Sequence, residues 1–402
     1  MTTRALTLLA GATALAAMPA FAQQDDTFTW GKRNTEFEPA SADQFRAELM
    51  TSDVKTKRET IVGGLVHPWG IAVLPDGGGY LVTERAGRLR HVSADGEMSE
   101  PISGLPEVEA REQGGLLDIE LGPDFAEDRV IFWTYAKPVD GGLATAAARG
   151  VLNDDMTEVT EVQDIFVQEP AVPAPMHFGS RIVFDDDGHA FVTTGEHFTE
   201  EYRVYAQDLD KTFGKVVRVN LDGSTPEDNP FVGDDTAIDT IWSYGHRNIQ
   251  GAHMIDGQLW TIEHGPKGGD ELNLTEAGKN YGWPVISYGK QYSGGPIGSG
   301  AAQQDGMEQP VYFWDPVIAP AGMLDYDGEM FADWQGDLLI SSLYPGGIVR
   351  LELESGRVTG EERLARDLGR VRDVAVDDDG SILAITDFED GQLVRISVDS
   401  GS

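Results

Sequence analysis

One unit recurs along the chain and limits what it can fold into: a short apolar run, an Asp-Gly turn, and a second apolar run. It reads Gly70-Ile71-Ala72-Val73, then Pro75-Asp76-Gly77, then Tyr80-Leu81-Val82-Thr83. It returns as Arg181-Ile182-Val183-Phe184 with Asp187-Gly188 and Ala190 to Thr194, and again as Val374-Ala375-Val376 with Asp379-Gly380 and Ile382 to Thr386. Asp-Gly between β-branched runs predicts a tight hairpin, and a third strand follows each one, at Arg88–Val92, Lys215–Asn220 and Gln392–Ile396. Weaker copies lie at Leu116–Leu121 with Arg129–Tyr135, at Ile241–Tyr244 with Leu259–Glu263, and at Met323–Tyr326 with Asp337–Ser342. Units at roughly 40–60-residue spacing predict a propeller. The fold class is therefore all-β, a six-bladed β-propeller. A β-helix needs shorter coils, and no linker divides the chain into two sandwiches. In a propeller, loops from every blade meet in one bowl, so residues distant in sequence can form one site.

The 402 residues hold 68 Asp and Glu against 30 Lys and Arg, a net charge of -38, and no cysteine. Disulfide scaffolds, zinc-thiolate sites, cysteine nucleophiles and a basic nucleic-acid binder are thereby excluded. A 40% hydrophobic content with eight Trp is enough for a sizeable core, so the acidity does not describe a disordered chain. Residues 1–22 read as a signal peptide: Arg4, the uncharged run Ala5 to Ala17, and Ala20-Phe21-Ala22 before a cut at Gln23. No other stretch approaches the roughly 20 apolar residues of a membrane span. The expected location is periplasmic or secreted. Residues 23–58 read as an N-terminal arm, with Trp30 and Phe37 as anchors and a strand near Thr60–Leu65; residues 59–402 form the propeller.

Several unusual residues fall on the predicted loops. His177 directly precedes an inner strand, where the bland alternative is a surface or capping histidine. Arg247 and Asn248 follow Ile241–Tyr244, read here as another inner strand, and a salt bridge would be the default use of that arginine. His264-Gly265-Pro266, before Gly268-Gly269-Asp270-Glu271, is a loop of free carbonyls beside two carboxylates, which suits a hard cation such as Ca²⁺ and also an ordinary turn. Arg370 and Arg372 alternate at a strand start and so share a face. The Asp185-Asp186-Asp187-Gly188 and Asp377-Asp378-Asp379-Gly380 runs lack calcium-loop spacing and read as hairpin turns. Glu196-His197 lacks the second histidine of a zinc protease motif.

Together these segments resemble the soluble pyrroloquinoline quinone (PQQ)-dependent sugar dehydrogenases, the aldose sugar dehydrogenase branch of the glucose/sorbosone dehydrogenase family. The resemblance runs from about Val62 to Ile396. It rests on His67-Pro68-Trp69-Gly70, Gln113 to Asp118, His177 to Arg181, Gly214 to Arg218, Gly245-His246-Arg247-Asn248, Glu263 to Asn273, Tyr281-Gly282-Trp283-Pro284, Ala319-Pro320 and Arg370-Val371-Arg372-Asp373. Each is short, but all occur in order.

The resemblance implies a six-bladed propeller and oxidation of the anomeric carbon of aldoses to lactones by hydride transfer to PQQ. His177 matches the general base, and Arg247 the cation beside the reacting quinone carbonyl. Asn248, His264, Arg370 and Arg372 match cofactor contacts, Gln113 a residue near the sugar, and the Gly265 and Pro266 carbonyls ligands of a Ca²⁺ bound with PQQ. The implied partners are a small aldose and a separate electron acceptor. One departure stands out: where the family commonly has a PQQ-contacting lysine, Leu343-Tyr344-Pro345 has none, and Tyr344 is the residue at or beside that place. Lys267 is the other cation that could compensate. Two other classes remain on this reading: a metal-dependent, lactonase-like hydrolase on the same propeller, and a binding propeller without catalysis.

Overall fold

The structure, a computed structural model, describes residues 28–401. The expected signal peptide, residues 1–22, therefore lies outside the described residues. The strands form six sheets arranged as the blades of a propeller, with few helical turns between them. The innermost strands are Pro68–Val73, Leu116–Leu121, Gly179–Phe184, Ile249–Ile255, Pro320–Asp325 and Val371–Val376, in blades one to six. The Asp-Gly turns lie where the sequence puts them: Val73 pairs with Tyr80, Phe184 with Ala190 and Val376 with Ile382. Asp185 Oδ1 accepts the amides of Asp187 and His189, so that acidic run closes its own hairpin.

Blade four corrects the sequence reading. Ile241–Tyr244 is the outermost strand of blade three, paired with Lys215–Asn220, and not an inner strand. The inner strand of blade four is Ile249–Ile255, joined to Gln258–Glu263 through Asp256-Gly257, both with positive φ. Arg247 and Asn248 thus stand before an inner strand, as His177 does.

Each blade buries both faces, because every interface between neighbouring blades is an apolar cluster. Leu81, Leu116 and Trp133 join blades one and two; Phe132, Ile182 and Val217 join two and three; Val183 and Ile249 join three and four. Trp314 with Ile340 joins four and five, Leu339 with Ile382 joins five and six, and Ile71 with Leu383 and Ile385 completes the ring. Removing such side chains from water, at about 25 cal/mol per Å² of apolar surface, is what holds the blades together.

The ring is closed by the two ends of the chain. Thr56–Leu65 is the outer strand of blade six, antiparallel to Gly391–Val398. The expected boundary at residue 58 therefore falls inside a propeller strand, and the arm ends before Thr56. Within the arm, Glu48–Leu49 adds a parallel fifth strand to blade five, and Phe37 packs near Tyr288 and Phe313. Trp30 meets Phe28 edge-on and lies beneath the Arg46 guanidinium.

Every inner strand has a register shift within its first residues: between Pro68 and Ile71, Leu116 and Ile119, Gly179 and Ile182, Ile249 and Gly251, Pro320 and Met323, and Val371 and Asp373. A bulge re-aims side chains. The six bulges ring the channel with Trp69, Asp118, Arg181, Gln250, Gly322 and Arg372. Gly322 is required there, because a Cβ would lie 1.7 Å from Asp373 Oδ1.

Candidate active site

Loops that precede inner strands and loops that follow second strands all emerge at one end of the propeller, which gathers most of the expected residues. Below them Arg181 closes the channel. Its Nη1 donates to Asp118 Oδ1 at 2.6 Å and Asp373 Oδ2 at 2.9 Å, its Nη2 to Asp373 Oδ1 at 3.0 Å, and its Nε to the Gln250 carbonyl at 2.8 Å. Four blades are tied by this one guanidinium. Burial pushes Asp118 up to about 6 although Arg181 opposes it. Above the plug lies a cavity of about 240 Å³, lined by Trp69, Arg85, Gln113, Asn248, Gln250, His264, Arg370 and Arg372, among others.

His177 is buried, with 5% of its surface exposed. Its φ of 49° is left-handed, which costs a residue with a side chain on the order of 1 kcal/mol. Gln113 Oε1 accepts the His177 amide at 2.8 Å, and Nδ1 lies 3.0 Å from Glu196 Oε2. A carboxylate only accepts, so the ring proton is on Nδ1 and Nε2 keeps its lone pair. Among the described residues Nε2 has no hydrogen-bond partner. Burial lowers the His177 pKa, as does Arg247, while Glu196 raises it. The Glu196 carboxyl is held below its usual range: burial alone would raise it, but His177 and Arg247 outweigh that. Gly195, next to Glu196, has no room for a side chain, since a Cβ would meet the His177 carbonyl at 1.9 Å.

Arg247 is fixed from several sides. Its amide donates to Glu263 Oε2, its Nη1 to the His264 carbonyl at 2.9 Å, and its guanidinium lies 5.2 Å from the Trp283 ring centroid. Its buried Nε lies 4.0 Å from Glu196 Oε1, and among the described residues neither atom has a hydrogen-bond partner. Asn248 accepts the Gly179 amide at 3.0 Å through Oδ1, which leaves its NH₂ group available in the cavity wall. His264 Nε2 donates to the Pro320 carbonyl at 2.6 Å, and burial drives this ring's pKa down to about 3, so it is neutral.

The Gly265-Pro266 loop adjoins a second, smaller cavity of about 10 Å³, shared with Arg247 and Glu271. The loop is anchored by Asp270, whose Oδ1 accepts the Gly265 amide at 2.7 Å and whose Oδ2 accepts the amides of Ile318 and Ala319. Both loop residues are buried, and among the described residues no hydrogen bond reaches either carbonyl oxygen. Buried acceptors without donors suit a hard cation. No group of three His, Cys, Asp or Glu side chains among the described residues could hold a metal, so a cation here would rest on carbonyls and on the bound ligand.

On the opposite wall, Arg370 Nη2 and Arg372 Nη2 share Asp387 Oδ2 at 2.9 and 2.7 Å, and His67 Nδ1 lies 2.9 Å from Oδ1. Arg372 also donates to Gln250 Oε1 at 3.1 Å. The Asp387 carboxyl is held far below its usual range: burial opposes this, and Arg372, Arg370 and His67 overcome it. Guanidinium groups that keep unused N–H donors fit a carboxylate-bearing ligand such as PQQ.

Neither residue expected to stand in for the family's lysine lines either cavity. Tyr344 is 66% exposed, and its neighbour Leu343 lines the wall instead. Lys267 is exposed and pairs through its backbone with Lys290. The residues that sequence reasoning missed are Arg85, Glu196, Gln250, Asp387 and the Arg181 plug. Glu196 had a signal in its place two residues after a second strand, across the open end of the hairpin from His177.

The chain belongs to the glucose/sorbosone dehydrogenase family, whose model matches residues 65–395. It is 43% identical over 344 residues to aldose sugar dehydrogenase YliI of Escherichia coli strain K12, covering 84% of this chain and 92% of that one. The apo-form crystal structure of the soluble aldose sugar dehydrogenase from Escherichia coli superposes with a TM-score of 0.82 at 42% identity, over 86% of this chain and all of that one. The PQQ-bound aldose sugar dehydrogenase from Streptomyces coelicolor aligns at 0.70 and 26% identity, over 87% of this chain and all of that one.

Proposed function

We propose that this protein is a PQQ- and Ca²⁺-dependent aldose sugar dehydrogenase of the periplasm or exterior, converting aldoses to lactones and passing electrons to a separate acceptor. The observation that carries this is a neutral, carboxylate-oriented His177 with a free Nε2, close to a cavity walled by arginines. The signal peptide read at residues 1–22 supports the location.

Bound in the cavity, the quinone would take the hydride of the sugar C1–H bond, with Ca²⁺ polarising its carbonyl as a Lewis acid. His177 Nε2 takes the proton of the anomeric hydroxyl, and Glu196 holds the tautomer and stabilises the imidazolium that results. Arg247 sets a fixed positive charge where negative charge develops on oxygen, and its contacts to His264 and Trp283 mean that it need not reorganise. The NH₂ of Asn248 donates to the cofactor. Arg370 and Arg372 hold carboxylates, the Gly265 and Pro266 carbonyls hold the cation, and Gln113 faces the sugar.

The test is reduction of an artificial dye by purified protein given PQQ, Ca²⁺ and glucose or another aldose. Turnover that needs all three, and that is lost with a chelator, is the expected result. No dye reduction at saturating cofactor would overturn the reading.

A further inference from the structure

Arg85 enters the same cavity from blade one. It directly follows the second strand, Tyr80–Glu84, the place that Leu343 holds in blade five and Asp387 in blade six. Its amide donates to the His67 carbonyl at 3.1 Å, and its own carbonyl accepts the Leu116 amide, which fixes the backbone at the cavity wall. The side chain is another matter. Among the described residues it has no ion pair, no hydrogen bond and no aromatic face, and its Nε is buried without an acceptor. Every other described arginine has at least one such partner.

An unpartnered guanidinium is unexpected in a chain with 68 acids for 30 lysines and arginines. Among its described lining residues the cavity moreover has three arginines and no carboxylate, with Asp387 pairing Arg370 and Arg372 from outside that lining. Burial lowers the Arg372 pKa; Asp387 opposes this, and Arg370 and Arg85 add smaller repulsions. Three like charges that share one counter-charge are the electrostatic form of an anion site.

We infer that Arg85 is a binding residue for the anionic cofactor, its guanidinium pairing with a cofactor carboxylate opposite Arg370 and Arg372. This rests on the PQQ reading above.

The experiment titrates PQQ into the cofactor-free protein with Ca²⁺ present and follows quenching of tryptophan fluorescence at several salt concentrations. Arg85→Gln is expected to raise Kd about ten- to a hundredfold and to make its salt dependence shallower, while Arg85→Lys recovers part of the affinity. The melting temperature of the unliganded Gln variant should match or exceed the wild type, since no native contact is lost. A Gln variant with wild-type Kd overturns this inference alone. A marked fall in its melting temperature also overturns it, by making Arg85 structural. Wild-type protein that fails to bind PQQ overturns the functional reading as well.

Discussion

His177 Nδ1 and Glu196 Oε2 lie 3.0 Å apart, because the two residues flank the open end of the blade-three hairpin, where Gly179 pairs with Thr194. This pairing gives the histidine a fixed tautomer. It also counters the burial and the Arg247 charge that depress its pKa.

His177→Ala should lower kcat by about 10²- to 10⁴-fold, the usual contribution of a general base, while PQQ affinity stays near the wild-type value. Stopped-flow turnover and a fluorescence titration separate the two effects. Unchanged kcat would remove His177 from the base role.

Glu196→Gln removes a group that raises the His177 pKa, so that pKa falls further. The acid limb of kcat/KM should move to lower pH, and the plateau should fall because the imidazole is a weaker base. A pH–rate profile in which the limb stays put would show that Glu196 does not act through His177.

Asp387→Asn should destabilise the protein by about 3–5 kcal/mol at neutral pH, because two arginines lose a shared buried partner. The folded pKa of Asp387 lies below the unfolded value of about 3.9, so its contribution is full above that value and is lost as pH falls through the folded one. Melting curves of wild type and variant should therefore converge on acidification below about pH 4.

Arg181→Met leaves Asp118 and Asp373 buried without their cation, at a cost of about 3–5 kcal/mol. The folded Asp118 pKa is already raised to about 6 and climbs further without Arg181. A raised pKa contributes stability that is lost as pH rises, so the variant should be less impaired at about pH 5 than at about pH 7.5. Urea denaturation at both values checks this.

The blades were legible wherever an Asp-Gly turn separates two apolar runs, since that local chemistry fixes the hairpin. Blade four was misplaced because Ile241–Tyr244 is as apolar as an inner strand, while the informative turn was Asp256-Gly257. His177, Arg247, Arg370 and Arg372 could be singled out as rare residue types on loops. Arg85 and Asp387 could not, because what distinguishes them is a partner, or the lack of one, contributed by another segment; Glu196 stood out only as part of an incomplete zinc motif. The bulges were also hidden: nothing in the order of Arg181 and Ile182 tells which of them turns into the channel.

Blade six takes its outer strand from Thr56–Leu65 and its other three from Val371–Val398. A chain emerging during synthesis cannot complete this sheet until Gly391–Val398 is available, so this contact is also among the longest in sequence. Once joined, the ends behave as one more inter-strand seam. Circular permutants that link Val398 to Thr56 through a short spacer and open an exposed turn between blades should retain the ring, whereas deletion of either seam strand should open it.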